Sequence, residues 1–236
     1  GTLRLTQGNL LDDNAAVSVA AGATLTLNGN DTIGSLAVAG TVNGVGAFNA
    51  GNYLLTGGQY ELDIASGAIV STGNSRIFGS VGAGSVTVQN GVLTLGSAGR
   101  FTNAPSVNIL GAGTLNLNGD ETFGALLGSG TLDLRGATLT TGSRGDSSFS
   151  GNLVSSSGAG ALVKVGGSTF TFGGSGSYTG LTRVDDGVFD VAGTLASGTL
   201  QVNGSATLNV LGDNRLADGA AATVASAATL TFDGSD

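Results

Sequence analysis

Three short clusters in this chain hold residue types that could do chemistry. Arg183, Asp185 and Asp186 sit in Thr-Arg-Val-Asp-Asp, Asp133 and Arg135 in Leu-Asp-Leu-Arg, and Arg144-Gly145-Asp146 in a small polar stretch. Paired carboxylates, or a carboxylate with Arg and a metal, are what glycan hydrolases and lyases use. In an extended chain, alternation sends Arg183 and Asp185 to one face and Asp186 to the other. Asp133 and Arg135 share the solvent face, the geometry of an ordinary exposed ion pair. Such sparse carboxylates form no cluster, so no residue is assigned a catalytic role and the chain is read as a non-enzyme.

Arg144-Gly145-Asp146 asks for a different chemistry. It presents a cation and a carboxylate at a separation that integrins read, the acid completing a metal site on the receptor. Its neighbours are small and polar, which predicts an exposed loop extruded from the fold.

What is missing bounds the rest. His and Cys are both absent, so a Ser-His-Asp or Cys-His arrangement, a His- or thiolate-bound metal and a disulfide framework are excluded within these residues. No cofactor is expected: the Gly-rich stretches hold no Gly-Lys-Ser/Thr phosphate loop, and no Gly-Gly-x-Gly-x-Asp calcium repeat recurs. Asp12, Asp13 and Asn14, or Asp213 and Asp218, are read as solvated turn residues rather than Ca²⁺ ligands. Net charge is −8, from 16 acids against 8 bases. With no basic stripe, nucleic acid and an anionic membrane surface are poor partners. No run of about 18 apolar residues stands in the chain, so no helical membrane insertion is expected.

The elements that must carry these residues are strands. Of 236 residues 44 are Gly, yet hydrophobic residues make up 40% and mean hydropathy is +0.29, which excludes a disordered Gly/Ser linker. Short segments alternate apolar and polar residues: TLRL at 2–5, TLTL at 24–27, YELDI at 60–64, SVTV at 85–88, VLTL at 92–95, TLNL at 114–117, TLDL at 131–134, TFTF at 169–172, VFDV at 188–191, TLQV at 199–202, TLNV at 207–210 and TLTF at 229–232. Each reads as a strand with one buried and one solvated face. Gly, Asn, Asp and Ser between them supply turns. No helical spacing survives such frequent Gly.

Longer repeats point to a solenoid. TLTLNGNDTIGSL from Thr24 returns as TLNLNGDETFGAL from Thr114, a shift of 90 residues, and residues 11–31 return at 216–236, a shift of 205. The strands are too short and too poor in aromatics for propeller blades or a membrane barrel. The fold expected is all-β, a right-handed parallel β-helix in which like residues stack on like. At about 20–25 residues per coil the chain makes about ten coils, a rod near 50 Å long. It is read as a single unit over 1–236, a fragment of a longer array cut at its C-terminal and N-terminal ends.

The stretch from Val163 to Val191, VKVGGSTFTFGGSGSYTGLTRVDDGVFDV, resembles the β-strand repeat of bacterial autotransporter passengers. The matching features fall on Lys164, Gly166, Tyr178, Thr179, Gly180, Thr182, Val184, Gly187 and Val188–Val191. The resemblance implies type V secretion: a β-helical passenger carried by a C-terminal barrel, placed at the bacterial cell surface, anchored to the outer membrane, or outside the cell. It implies a structural and adhesive module in virulence or cell adhesion, with a host-cell receptor or extracellular matrix, and the rest of its own chain, as partners. A polysaccharide-acting hydrolase or lyase is the alternative. Within the motif, Gly and Tyr-Thr-Gly are read as corners and a packed aromatic under a turn.

Overall fold

In the structure, a computed structural model that describes residues 1–234, strands account for all the regular secondary structure of the described residues. Every strand pairing given by the register is parallel. The chain winds as a parallel β-solenoid of about 12 turns. One row begins with Thr2–Leu5 and Thr24–Asn28, and a second with Ala16–Val19. A third runs in its later half through Thr138–Thr141, Ala161–Lys164, Leu181–Val184, Thr199–Val202 and Ala221–Val224.

The alternation seen in the sequence becomes ladders inside the tube. In the first row Leu93, Leu115, Leu132 and Leu153 stand in register, each fully buried. In the second, Phe170 stacks on Phe189 with ring centroids 5.2 Å apart. Burying each such side chain contributes about 1.5–3 kcal/mol, and one continuous apolar cluster runs from Leu5 to Leu208. At one corner Gly130, Gly151, Gly174 and Gly193 stack. A Cβ on Gly151 would stand 2.0 Å from the Gly130 carbonyl oxygen, and one on Gly174 only 1.8 Å from that of Gly151. Only glycine lets the backbone turn that tightly on the coil below.

Coil lengths differ from expectation. Successive second-row partners such as Asn52 and Ala68, or Ser147 and Phe170, lie 16 to 23 residues apart. Shorter coils give more turns, and about 4.8 Å per layer makes a rod of about 58 Å. Corners are shorter because several strands run straight through them. SVTV and VLTL fuse into one strand, Ser85–Leu95, with a register irregularity between Val88 and Asn90. YELDI is likewise not a single strand: Gly58–Tyr60 ends in the first row, and Asp63 and Ile64 pair separately in the third. Tyr60, Leu62 and Ile64 all still point into the core. At the two ends of the rod, Thr2–Leu5 and Ala221–Val224 are largely exposed, each lacking a covering coil on one side.

Candidate functional site

Arg144, Gly145 and Asp146 lie in the corner between the third-row strand Thr138–Thr141 and the second-row strand Ser147–Phe149. It is an ordinary corner of residues 142–146, exposed from Ser143 to Asp146, and not the extruded loop expected. The neighbouring coils turn here with comparably few residues, so the tripeptide stays in step with the stack. Gly145 adopts φ +69°, with open space where a Cβ would be.

The two charges face opposite ways along the rod. Arg144 lies back over Gly124, whose missing Cβ leaves room for the Arg144 stem. Its Nη2 donates to the Asn103 carbonyl at 2.9 Å and to Asn103 Oδ1 at 3.4 Å. Asp146 reaches forward: its Oδ1 accepts the Thr169 N–H at 2.8 Å. Both groups remain exposed while their positions are fixed by these bonds.

Beneath this corner sits Lys164, fully buried. Its Nζ donates to the carbonyls of Val165, Gly166 and Asp186 at 2.9, 2.7 and 3.1 Å. Burial pulls the ammonium below the usual lysine range, with Asp186 and Asp146 opposing that shift. A buried cation is tolerable when its donors are satisfied, and here they staple two successive corners. Ser168 adds a bond from its hydroxyl to the Gly142 carbonyl at 2.7 Å. The Lys-x-Gly feature is thus a corner staple directly under Arg144–Asp146.

The other half of that stretch forms a second buried support. Tyr178 and Thr182 are fully buried, with the Tyr178 hydroxyl and Thr182 Oγ1 2.6 Å apart. Burial raises the Tyr178 phenol well above its ordinary range. The Thr179 and Gly180 N–H groups both donate to the Ala159 carbonyl, at 3.0 and 3.1 Å.

The remaining clusters are already engaged. Asp133 is 7% exposed, not the solvent-facing residue expected. It accepts Ser156 Oγ at 2.6 Å and the Ser156 N–H at 2.9 Å, with Arg135 Nε at 3.4 Å. Burial pushes its carboxyl up, but the Ser156 and Arg135 bonds outweigh that and hold it below the usual range. Asp185 takes Arg183 Nε at 2.9 Å and Asn203 Nδ2 at 2.8 Å, the shared face that alternation placed them on. Asp186 instead accepts the Gly187 N–H. Asp12 closes a local turn onto the Asn14 N–H. Among the described residues no three His, Cys, Asp or Glu side chains converge.

Sequence reasoning missed two arrangements. Asp31 and Glu121, each 3% exposed, cap backbone N–H groups of the preceding coil. Arg76, Phe78, Asn116 and Arg135 meet along one groove on the first row. The 90-residue repeat was a signal for the first; nothing local in sequence marks the second. Comparison with family models, curated proteins and solved structures finds no match to this chain.

Proposed function

We propose that this chain is a structural and adhesive β-helix module of an autotransporter-like protein, exposed at a bacterial surface or secreted. In this reading it is a stiff spacer that displays short corner loops for contact with a host-cell receptor or matrix. The observation that carries it is the Arg144-Gly145-Asp146 corner: exposed, glycine-turned, and held by bonds from the coils on either side. Asp133, Arg135, Arg183 and Asp185 serve the stack, their side chains bonded to one another and to neighbouring coils, and Asp186 closes its own turn onto the Gly187 N–H. The autotransporter style of residues 163–191 supports export.

Attachment of integrin-bearing cells to the immobilised chain tests the adhesive part. Attachment that a soluble Arg-Gly-Asp peptide blocks supports it; no attachment, or attachment indifferent to the peptide, removes it. Surface location is tested by protease treatment of intact cells of the encoding organism. Digestion of the chain supports display, and full protection overturns it.

A further inference from the structure

We infer that the outer surface of the first row carries a binding groove for an acidic oligosaccharide, a chain of sugar residues bearing carboxylates. The groove encloses about 330 Å³ and lies on a different side of the rod from the Arg144 corner. Its floor is Thr94 and Gly96, residues too small to fill the space between larger neighbours on either side. A Cβ at Gly96 would stand 2.6 Å from Phe78 Cδ1, so the Phe78 ring leans over that glycine as one wall. Phe78 is 40% exposed, and its carbonyl is pinned by Arg100 Nη1 at 2.7 Å.

The polar groups are of two kinds. Arg76 is exposed and makes no hydrogen bond or ion pair among the described residues, so its five donors are open to a carboxylate in fork geometry. Asn116 is only 8% exposed and lines the groove, yet its side-chain amide has no hydrogen-bond partner. That amide meets solvent through the groove, and a ligand hydroxyl can take the place of water on it. On the far wall Arg135 Nη1 donates to Asn118 Oδ1 at 3.2 Å. An open cation, an exposed aromatic face and amides ready for hydroxyls describe a carboxylated sugar chain better than a bare anion, which has no use for Phe78. The register Arg76, Thr94, Asn116 spreads the site over two inter-strand spacings, about 10 Å, which suits an extended chain lying along the rod.

Calorimetric titration of the whole chain with tetragalacturonate, a neutral glucose tetramer, inorganic phosphate and a tetraglutamate peptide tests this. Tetragalacturonate should bind at least tenfold more tightly than each of the others. Arg76→Ala and Phe78→Ala, both at exposed positions, should each weaken it at least tenfold with the thermal midpoint unchanged. Asn116→Ala should weaken it several-fold. Equal binding of phosphate or tetraglutamate would make the site a simple anion contact and overturn the proposal. So would the absence of tetragalacturonate binding, or binding that survives Arg76→Ala. Cell attachment through Arg144–Asp146 is read separately, so either result stands without the other.

Discussion

Asp31 and Glu121, ninety residues apart, perform the same act on equivalent coils. Asp31 Oδ2 accepts the Leu10 and Leu11 N–H groups at 3.0 and 3.3 Å. Glu121 accepts the Arg100 and Phe101 N–H groups at 2.7 and 3.0 Å. The acceptors and the donors are both displaced by the same ninety residues, so the repeat visible in sequence is a repeat of three-dimensional work. Where the third row lacks a full strand, a buried carboxylate replaces the missing ladder bonds. The neighbouring position repeats too: Asn30 Oδ1 caps the Ala47 N–H, and Asp120 Oδ1 caps that of Thr138.

Replacing either carboxylate therefore removes the acceptor of two backbone donors. We expect Glu121→Ala to lower stability by about 2–3 kcal/mol, the cost of stranding the buried Phe101 N–H and its neighbour, and Asp31→Ala by about 1 kcal/mol, because Leu10 is exposed and water reaches its N–H. Thr122→Ala, at an exposed neighbour, should change it by less than about 0.5 kcal/mol. Urea unfolding followed by far-UV circular dichroism measures all three. Equal midpoints for Glu121→Ala and Thr122→Ala would show that the cap contributes nothing.

Glu121 also gives a pH dependence of known sign. Burial raises its carboxyl above the ordinary value of 4.5, with the Phe101 and Arg100 N–H bonds acting against that shift. The folded chain thus holds a proton that the unfolded chain releases, and this group's contribution to stability falls as pH rises from about 4.5 through the folded value. Asp133 and Asp63 act in the opposite sense. Both are lowered from 3.8, so their contribution is complete above that value and is lost as pH falls through the lowered one. Glu121→Gln should remove the decline above 4.5 and leave the acid-side loss in place, as read from unfolding midpoints across that range. An unchanged decline would assign it to another group.

The strands, their parallel stacking and the glycine corners were legible because each depends on local alternation and turn chemistry. Thr169–Phe172 and Val188–Val191 fall where the pattern puts them. Coil length was not legible, since Asn90-Gly91 reads as a turn that ends a strand, whereas the strand Ser85–Leu95 runs on through it with Gly91 at φ +66°. The burial of Asp133 escaped because its partner, Ser156, lies a coil away, 23 residues on. The groove escaped for the same reason: Arg76, Gly96, Asn116 and Arg135 come from different coils, and only the register joins them.

Lys164 makes a sharper stability prediction than any single core leucine. Lys164→Met keeps most of the stem volume but leaves the Val165, Gly166 and Asp186 carbonyls without their donor. A loss of about 3 kcal/mol is expected. Hydrogen exchange should accelerate first at the Val165 and Asp185 amides, which donate across this corner to Thr141 and Lys164. Unchanged stability would mean that removing the buried charge offsets the lost bonds, as it does when ion pairs are replaced by apolar groups.

The last prediction separates what Asp146 does for the fold from what it does for a receptor. Its Oδ1 accepts the Thr169 N–H at 2.8 Å, so the usual Asp146→Glu test disturbs the corner as well as the charge. Asp146→Asn does not: the amide oxygen can take the same N–H, and only the negative charge is lost. A receptor metal needs that charge, because hard cations bind carboxylate oxygens. If the corner is adhesive, Asp146→Asn should abolish peptide-sensitive cell attachment at an unfolding midpoint equal to the parent's, and Asp146→Glu should lose attachment together with about 1 kcal/mol of stability. If Asp146 only joins two coils, Asp146→Asn should attach cells as the parent does while Asp146→Glu is merely less stable. Attachment measured beside urea midpoints for the three proteins decides between them.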